Sequence, residues 1–460
     1  MPDTIVALAT PNGRSGIGVI RLSGSSSKKI TARIVGDLNY EPQPRHAYLT
    51  ELLDRTNGQP IDTAVVTYFK APHSFTGEDV IEIGCHGSPV LLRQVIDLCL
   101  ADGARMADPG EFTLRALANG RIDLAEAEAI RDLIDAQTTA AVRQAVRQMR
   151  GEFSDQLKPL KDDLLDVIVI LESSLEFVED DLPDVQTENV RSKLVKIRDS
   201  IAQLADTFTV GHLIRDGLRV AIVGRPNVGK SSLFNALLGS ERAIVTEIAG
   251  TTRDQLHERF VVDGIPISLI DTAGLRETQD TVEKIGVERA RKTMADADIV
   301  VVMLDASEEI TSEDHAIIDS VGDLNYMVAI NKIDKESSWN IDDLTSAKHS
   351  NLAKLRENIV AISAKTGEGL DGLRHALVQP FGVEDATTYG FLVTDARHHD
   401  LLKRSRDEID ESLTNLAKRM SEEIVLVGLH NALRYLGEIT GETTTEDMLT
   451  RIFSTFCIGK

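Results

Sequence analysis

Cysteine and aromatic residues are scarce in this chain of 460 residues. The three cysteines, Cys85, Cys99 and Cys457, lie far apart in the sequence and form no metal-type pair. This sparing use fits a reducing compartment and excludes a disulfide-rich secreted scaffold. Aromatic residues make up only 4% of the chain, which leaves no evident aromatic platform for nucleic acid.

Long apolar runs and a surplus of positive charge are also missing. No apolar run approaches the ~18 residues of a membrane span. No basic run precedes an apolar stretch near Asp3, so we expect no signal peptide, no membrane association and a cytoplasmic location. The formal net charge of −23 argues against broad, non-specific binding of nucleic acid. Binding of RNA through a local basic patch or through a basic partner is still compatible with this net charge.

Apolar residues, at 42%, are plentiful enough for two or three domains with their own cores. Residues 1–118 mix short β-type runs with Gly and Pro, which predicts an α+β amino-terminal domain. Residues 119–215 and 382–460 carry apolar residues at helical spacing and predict two halves of one all-α domain. Between them, residues 216–381 alternate β-branched runs with helical patterns. This predicts an inserted α/β domain with a doubly wound, mostly parallel sheet.

A phosphate-binding loop follows the first strand of the predicted α/β domain. The string GRPNVGKS, residues 224–231, matches the P-loop pattern G-x-x-x-x-G-K-S. Its glycines let backbone N–H groups surround phosphates at the positive end of the next helix. Lys230 places a charge on the β- and γ-phosphates, and the Ser231 hydroxyl is a predicted ligand of Mg²⁺.

Further nucleotide motifs follow in order, each near the carboxyl end of a predicted strand. Asp271 of DTAG is placed to hold Mg²⁺ through water, and the Gly274 N–H can sense the γ-phosphate. Thr252, in TEIAGTTRD, is a candidate second hydroxyl for Mg²⁺. Asp334 of NKID can accept two hydrogen bonds from guanine, whereas adenine would leave that carboxylate unpaired.

The strings NKID, residues 331–334, and SAK, residues 363–365, complete the predicted guanine pocket. Asn331 braces the loop, Lys332 can stack on the base, and Ala364 offers its N–H to the guanine oxygen. The sequence therefore predicts GTP and GDP as ligands. The predicted GTP-binding residues are Asn227, Val228, Gly229, Lys230, Ser231, Ser232, Thr246, Glu247, Ile248, Ala249, Gly250, Thr251, Thr252, Asp271, Thr272, Ala273, Gly274, Asn331, Lys332, Asp334, Ser363, Ala364 and Lys365.

The hydrolysis machinery departs from that of many small GTPases. Leu275 stands directly after DTAG, where those enzymes have a glutamine that orients the attacking water. Leucine neither donates nor accepts a hydrogen bond, so another group must position water. Glu283 is a nearby candidate, and a solvated helix-face glutamate is the alternative interpretation.

The P-loop with Asn227, AGTTRD, DTAGLRE and the final CIGK together resemble the MnmE (TrmE) family of tRNA-modifying GTPases. The likeness extends through residues 3–24, 74–89 and 119–136, so it runs essentially end to end. Ser88, in CHGSP, departs from the second glycine expected there and puts only the local loop shape in doubt.

That resemblance implies an enzyme that modifies the wobble uridine of certain tRNAs. The family works with the flavoprotein MnmG (GidA) in a heterotetramer, and FAD is expected on that partner. A carboxymethylaminomethyl or aminomethyl group is added to the uracil ring, and 5-formyl- or methylene-tetrahydrofolate supplies the one-carbon unit. The amino-terminal domain is implied to bind folate and to form a homodimer. The G domains are implied to pair across it during hydrolysis.

Several site residues are implied by the family, one position at a time. Arg21, Glu82, Arg121 and Lys460 fall where the family contacts folate, whose carboxylates suit Arg and Lys and whose pterin N–H groups suit Glu82. Cys457 is implied to act in the modification, since a thiol can add to a carbon electrophile. On the residues alone, Arg21 and Arg121 read as surface charges, and the alternative for Cys457 is that its side chain merely packs.

A potassium ion is also implied near the P-loop. Asn227 lies two residues before Gly229, where its side-chain oxygen can reach the β- and γ-phosphates. Thr246, Ile248 and Thr251 are implied to complete the K⁺ shell when two G domains meet. Glu283 is then implied to orient water.

A GTP-switched assembly factor, for example for ribosomes, is the competing interpretation, since its GTPase domain would look the same. Such factors often carry a basic RNA module, whereas the flanking regions here are acidic or helical. The final CIGK favours the enzyme. Apolar residues from Met448 to Phe456 recur at helical spacing, so we expect the tail to dock rather than fray.

Overall fold

The chain forms two compact units. The computed structural model describes residues 3–54, 57–176, 184–239, 258–270, 296–322, 324–339, 358–382, 389–442 and 445–459. Unit 1 comprises Met1–Ile134, Arg147–Asp184 and Thr414–Lys460, and unit 2 comprises Asp135–Val146 and Val185–Leu413. None of the described helices is both long and apolar enough to cross a membrane.

The described elements are twelve strands and fourteen α-helices. The strands are β1 (Ile5–Leu8), β2 (Ser15–Ser23), β3 (Ala47–Leu53), β4 (Pro60–Phe69), β5 (Val80–Gly87), β6 (Arg105–Met106), β7 (Leu218–Val223), β8 (Glu258–Val262), β9 (Ile265–Ile270), β10 (Ile299–Asp305), β11 (Tyr326–Asn331) and β12 (Ile359–Ala361). The helices are α1 (Ser27–Ile34), α2 (Pro89–Ala101), α3 (Glu111–Ala118), α4 (Leu124–Asp135), α5 (Thr139–Met149), α6 (Glu152–Glu176), α7 (Asp184–Asp206), α8 (Phe208–Asp216), α9 (Lys230–Gly239), α10 (Ser312–Ser320), α11 (Leu370–Val378), α12 (Ala396–Ala417), α13 (Glu422–Thr440) and α14 (Glu446–Phe453).

Unit 1 contains a six-stranded sheet in the order β3-β4-β5-β2-β1-β6. All neighbours are antiparallel except β1 and β6. Side chains alternate between the two faces of each strand, so Val6, Ile20 and Ile83 share one buried face with residues of α1 and α2. The opposite face carries Arg21 and Glu82, which are direct partners in the β2–β5 register.

The carboxyl-terminal tail docks within unit 1, as its apolar spacing predicts. Phe453 and Phe456 are 2% and 5% exposed and pack with Leu124 and Ala127 of α4. The rings of the two phenylalanines lie 5.0 Å apart at a tilt of 42°. An aromatic pair of this kind contributes on the order of 1 kcal/mol beyond the burial of its area.

Unit 2 contains the predicted doubly wound sheet, in the order β12-β11-β10-β7-β9-β8. Its neighbours are parallel except the edge pair β8 and β9. Every residue of β9 and β10 is buried, as expected where helices cover both faces of a parallel sheet. Successive residues, such as Val301 and Val302, belong to separate apolar clusters on the two faces. The predicted fold class is therefore confirmed.

A buried guanidinium, Arg115, holds several parts of unit 1 together and is 1% exposed. It donates to the main-chain oxygen and the carboxylate of Asp3 at 2.9 Å, to Glu78 at 3.1 Å and to Glu111 at 2.9 Å. Burial by itself raises the pKa of the Glu111 carboxyl. Its hydrogen bonds, headed by the one from Arg105, outweigh burial, so that pKa lies below its ordinary value.

Replacing Arg115 by methionine should lower the free energy of unfolding of unit 1 by about 3–5 kcal/mol at neutral pH. The reason is that the carboxylates of Glu78 and Glu111, which are 12% and 6% exposed, each lose a charged hydrogen-bond donor. Because the folded pKa of Glu111 is depressed, ionised Glu111 stabilises the fold above about pH 4.3, and that contribution is lost as the pH falls through the folded pKa. The stability difference between Arg115→Met and the wild type should therefore shrink in acid.

Hydrogen exchange of the β1 and β5 amides measures this difference, since it reports the opening of unit 1. The matched variant Arg93→Met removes a pair with Asp97 whose side chains are 70% and 52% exposed. It should change stability by less than about 0.5 kcal/mol. An Arg115→Met effect as small as that of the control would contradict the role assigned to the network.

Candidate functional site

The P-loop follows β7 and leads directly into α9. Its backbone takes positive φ at Gly224 (153°), Asn227 (64°) and Gly229 (104°). Asparagine is among the few non-glycine residues that tolerate the left-handed region. A Cβ on Gly229 would lie 2.3 Å from Nδ2 of Asn331, so the P-loop requires glycine there to pass the NKID motif.

Lys230 begins α9 and turns back over the loop that precedes it. Its Nζ donates to the carbonyl oxygens of Gly224 and Arg225, both at 2.7 Å. Burial lowers the pKa of Lys230, and a neighbouring phosphate charge would oppose that shift. Ser231 and Ser232 follow on the first turn of α9, and both are exposed.

Arg225 anchors the P-loop to the start of α10. Its Nε donates to Asp314 at 2.7 Å, and Asp314 is 2% exposed. Asp314 also accepts from the main-chain N–H of Thr311 at 2.9 Å and forms the capping box of α10 with that residue. Sequence reasoning did not single out this pair, because nothing in the spacing indicates that the two residues meet.

A buried amide, Asn331, joins three of the nucleotide motifs. Its Nδ2 donates to the Val228 carbonyl at 2.8 Å, and its Oδ1 accepts from the Ala364 N–H at 2.9 Å. The side chain is shielded, since the residue is 2% exposed. The Ala364 N–H, predicted to face the guanine oxygen, is therefore bonded to Asn331 in this structure.

Asp334 lies beside the SAK loop and remains exposed. Its carboxylate accepts from the Ser363 hydroxyl at 2.7 Å, a bond that lowers the pKa of Asp334. Ser363 is fully buried, and its hydroxyl also accepts from the Thr366 N–H at 3.1 Å. Lys365 is exposed. The serine thus orients an ionised carboxylate whose other oxygen is open to a base.

Asp305, which sequence reasoning missed, completes this edge of the sheet. It ends β10, is 3% exposed, and its carboxylate accepts from Nζ of Lys332. Lys332 also donates to the Asn227 carbonyl at 2.9 Å. The signal was present in the sequence, because DIVVVMLD places an acidic residue at the carboxyl end of a predicted strand.

Several predicted residues lie outside the described part of the chain, and their positions stay predictions. They are Thr246, Glu247, Ile248, Ala249, Gly250, Thr251, Thr252, Asp271, Thr272, Ala273, Gly274, Glu283 and Lys460. The P-loop, NKID and SAK residues are described, and hydrogen bonds join these three strings at one edge of the sheet.

A second cluster lies on the sheet of unit 1. Arg21 donates to one carboxylate oxygen of Glu82 at 2.9 Å from Nε and at 2.7 Å from its terminal nitrogen. Its other terminal nitrogen donates to the Gly459 carbonyl at 3.2 Å. The guanidinium lies 5.8 Å from the ring centroid of Phe112. Arg21 therefore joins the sheet to the CIGK tail, and it is not an isolated surface charge.

The tail is held by its backbone, and its thiol is exposed. Gly459 has a φ of 98°, and a Cβ there would lie 2.4 Å from the Leu8 carbonyl oxygen. The carbonyl of Cys457 accepts from the Gly110 N–H at 3.4 Å. Packing therefore does not account for the Cys457 side chain, although it accounts for the phenylalanines before it.

Arg121 belongs to the loop between α3 and α4 of unit 1, and its residue is exposed. A Cβ on Gly77 would lie 3.2 Å from Cγ of Arg121, so the arginine stem covers the turn that precedes β5. Within the described residues, no hydrogen bond joins Arg121 to Arg21, Glu82 or Gly459.

The doubly wound sheet with a P-loop, NKID and SAK at one edge defines a GTPase of the P-loop class. A family model described as "MnmE helical domain" matches residues 124–457, and one described as "GTP-binding protein TrmE N-terminus" matches residues 4–121. The chain belongs to the MnmE family of tRNA modification GTPases. It is an enzyme that hydrolyses GTP in tRNA modification.

Full-length relatives agree with these family matches. The chain is 43% identical to the tRNA modification GTPase MnmE of Koribacter versatilis (strain Ellin345), and the alignment covers 100% of both chains. It is equally similar, at 43% and with the same coverage, to the protein of that name from Aquifex aeolicus (strain VF5). Identity to the Neisseria meningitidis serogroup B protein is 42%, over 99% of each chain.

Replacing Asp334 by asparagine should change the preferred base from guanine to xanthine. The amide loses the charged acceptor for guanine but can pair with xanthine, so GTP affinity should fall about 10- to 100-fold and XTP should be preferred. Competition with a fluorescent guanine nucleotide measures both affinities. The matched variant Asp371→Asn, whose side chain is 87% exposed on α11, should leave them unchanged. Unaltered discrimination in Asp334→Asn would show that NKID does not read the base.

Proposed function

We propose that this GTPase requires K⁺ and acts with the flavoprotein MnmG (GidA) on the wobble uridine of certain tRNAs. It adds a carboxymethylaminomethyl or aminomethyl group, using the one-carbon unit of a tetrahydrofolate. The bond from Arg21 to Gly459 carries the proposal, because it brings the tail with its exposed thiol to the charged pair on the unit 1 sheet.

The folate is proposed to lie at Arg21, Glu82, Arg121 and Lys460. The described residues suit such a ligand: the side chains of Arg21 and Glu82 are 20% and 32% exposed, and Arg21 engages only one of the two Glu82 oxygens. Glu82 can therefore accept from pterin N–H groups while Arg21 stays paired. When bound, 5-formyl- or methylene-tetrahydrofolate supplies the one-carbon unit, and the Cys457 thiol would act as a nucleophile.

Two metal ions are proposed at the nucleotide. Ser231 and Thr252 would hold Mg²⁺, and Asn227, Thr246, Ile248 and Thr251 would hold K⁺. Asn227 is exposed, and no described residue bonds its side-chain amide, which leaves the amide oxygen available to a large monovalent cation. Both ions supply positive charge to the phosphates, and Lys230 adds its own. Glu283 is proposed to orient the water that Leu275 cannot bind.

The assembly is proposed to be cytoplasmic and to contain no membrane component. The chain forms a homodimer through residues 1–118 and a heterotetramer with MnmG, which carries the FAD. Residues 216–381 form the inserted G domain, and residues 119–215 and 382–460 form the helical domain. The G domains of the two copies meet during hydrolysis.

Removing residues 457–460 should abolish tRNA modification and leave GTP turnover within a few-fold. The reason is that the tail contacts unit 1, whereas the P-loop, NKID and SAK belong to unit 2. Cys457→Ser separates chemistry from docking, because it keeps the backbone contacts of the tail. Ser454→Ala, an exposed hydroxyl three residues earlier, is the matched control and should retain modification.

Nucleoside analysis of bulk tRNA, from cells that express each variant in place of the wild type, is the measurement. An assembly factor without modification chemistry would leave the wobble nucleosides unchanged by all three variants. Parallel loss of GTPase activity in the truncated protein would contradict the separation of the two sites.

Potassium should stimulate GTP turnover, and sodium should do so only weakly, because the smaller ion fits a site built for K⁺ poorly. K⁺ supplies a positive charge comparable to that of an external arginine finger. Such a finger raises the rate of hydrolysis about 10³- to 10⁵-fold. Steady-state turnover in KCl and NaCl at equal ionic strength tests this. Asn227→Ala should lose the stimulation, and Asn235→Ala, an exposed asparagine on α9, should keep it. Equal rates of the wild type in both salts would disprove the potassium role.

A further inference from the structure

A single ammonium group connects the base-reading motif to the P-loop. Nζ of Lys332 donates to the main-chain carbonyl of Asn227 at 2.9 Å and also to the carboxylate of Asp305. The first acceptor belongs to the residue proposed above as the potassium ligand, so this inference rests on that proposed role. The second acceptor belongs to β10 and has no place in the predicted nucleotide site.

The Asp305 carboxylate is held rigidly. Its residue is 3% exposed, and the carboxylate also accepts from the main-chain N–H of Ser307 at 2.9 Å and from the Ser307 hydroxyl at 2.7 Å. The Asp305 carbonyl accepts from Nε1 of Trp339 at 2.9 Å. Burial raises the pKa of Asp305, but the bonds from Lys332 and Ser307 outweigh it and lower the pKa, so the group is ionised at neutral pH.

Both residues joined by the ammonium group have left-handed backbones. Asn227 has a φ of 64° and Lys332 a φ of 67°. Non-glycine residues persist in that region only where their surroundings hold them. The bond from Lys332 fixes the carbonyl of Asn227. Because carbonyl and side chain share one Cα, this bond also limits where the Asn227 amide can point.

We propose that Asp305 is a positioning residue for cation-stimulated hydrolysis: by fixing Lys332 it sets the backbone of Asn227 and so aims the amide that receives K⁺. The bonds from Lys332 to Asp305 and to Asn227, called the clamp below, then have two effects. They place Lys332 beside the guanine base, and they orient the proposed potassium ligand. Loss of the clamp should weaken guanine nucleotide binding and the response to K⁺ together.

The test compares Asp305→Asn with the wild type in two measurements. The affinity for a fluorescent GDP analogue, titrated in NaCl without potassium, should fall about tenfold, since the ammonium group then bonds a neutral amide in place of a carboxylate. The K⁺ concentration for half-maximal stimulation of GTP turnover should rise by about fivefold or more. Trp339, the single tryptophan of the chain, reports by its fluorescence whether the surroundings of Asp305 stay folded.

A double-mutant cycle shows whether Asp305 acts through Asn227. In an Asn227→Ala background, Asp305→Asn should still weaken GDP binding but should not change any residual response to K⁺. The matched control is Asp298→Asn, which alters an Asp–Arg219 pair just before β10, at the opposite end of that strand from Asp305. It should change neither measurement. If Asp305→Asn does not fold, Lys332→Gln breaks the same chain of bonds and should give the same two losses.

An unchanged half-saturating K⁺ concentration in Asp305→Asn would overturn the inference. If Asp305→Asn shifts the half-saturating K⁺ concentration equally with and without the Asn227 amide, the inference is overturned too, because Asp305 would then act by another route. A wild type without potassium stimulation would instead remove the proposed potassium role. The GDP titration in NaCl separates that failure from failure of the clamp.

Discussion

The nucleotide edge of unit 2 depends on one buried amide, Asn331. Parallel strands bring their carboxyl ends to the same edge, but they do not determine how the loops beyond them pack. Asn331 does so with two bonds, one to the Val228 carbonyl and one from the Ala364 N–H. The close approach of its Nδ2 explains why Gly229 has no side chain. Loss of this amide would leave a buried donor and acceptor unpaired, which costs about 1–3 kcal/mol for each group.

Arg21 joins separate parts of unit 1, as Asn331 does in unit 2. It links β2, β5 and the chain end through Glu82 and the Gly459 carbonyl. The tail reaches this place because Phe453 and Phe456 are buried upstream, and because Gly459 passes within contact of the Leu8 carbonyl. The phenylalanines therefore supply the docking energy, while the glycine permits the final approach. With both contacts made, the Cys457 side chain, two residues before Gly459, remains exposed.

The sequence predicted the sheet of unit 2, the docked tail and the presence of a P-loop after the first strand of that sheet, because each depends on local periodicity or on a short string. Contacts across long stretches of chain were not predicted from spacing. Arg225 and Asp314 are 89 residues apart. Arg21 and Gly459 are 438 apart, and only the family resemblance implied that the tail lies near Arg21. Their pairing follows from tertiary packing, which no spacing rule encodes. Asp305 is the intermediate case, since its strand was predicted but its bond to Lys332 was not.

The cations at these sites share one physical setting. Arg21, Arg115, Arg225 and Lys332 each pair with a carboxylate, and the side chains of Glu82, Glu111, Asp314 and Asp305 are 32%, 6%, 2% and 1% exposed. In a chain of net charge −23, a free surface cation would find many acidic neighbours, and none of them would fix its position. A shielded carboxylate fixes the cation more firmly, and dissolved salt screens such a pair much less than an exposed one. The three most buried pairs should therefore persist at the ionic strength at which monovalent cations are compared. A difference between KCl and NaCl then reflects the ion itself rather than a general loosening of the protein.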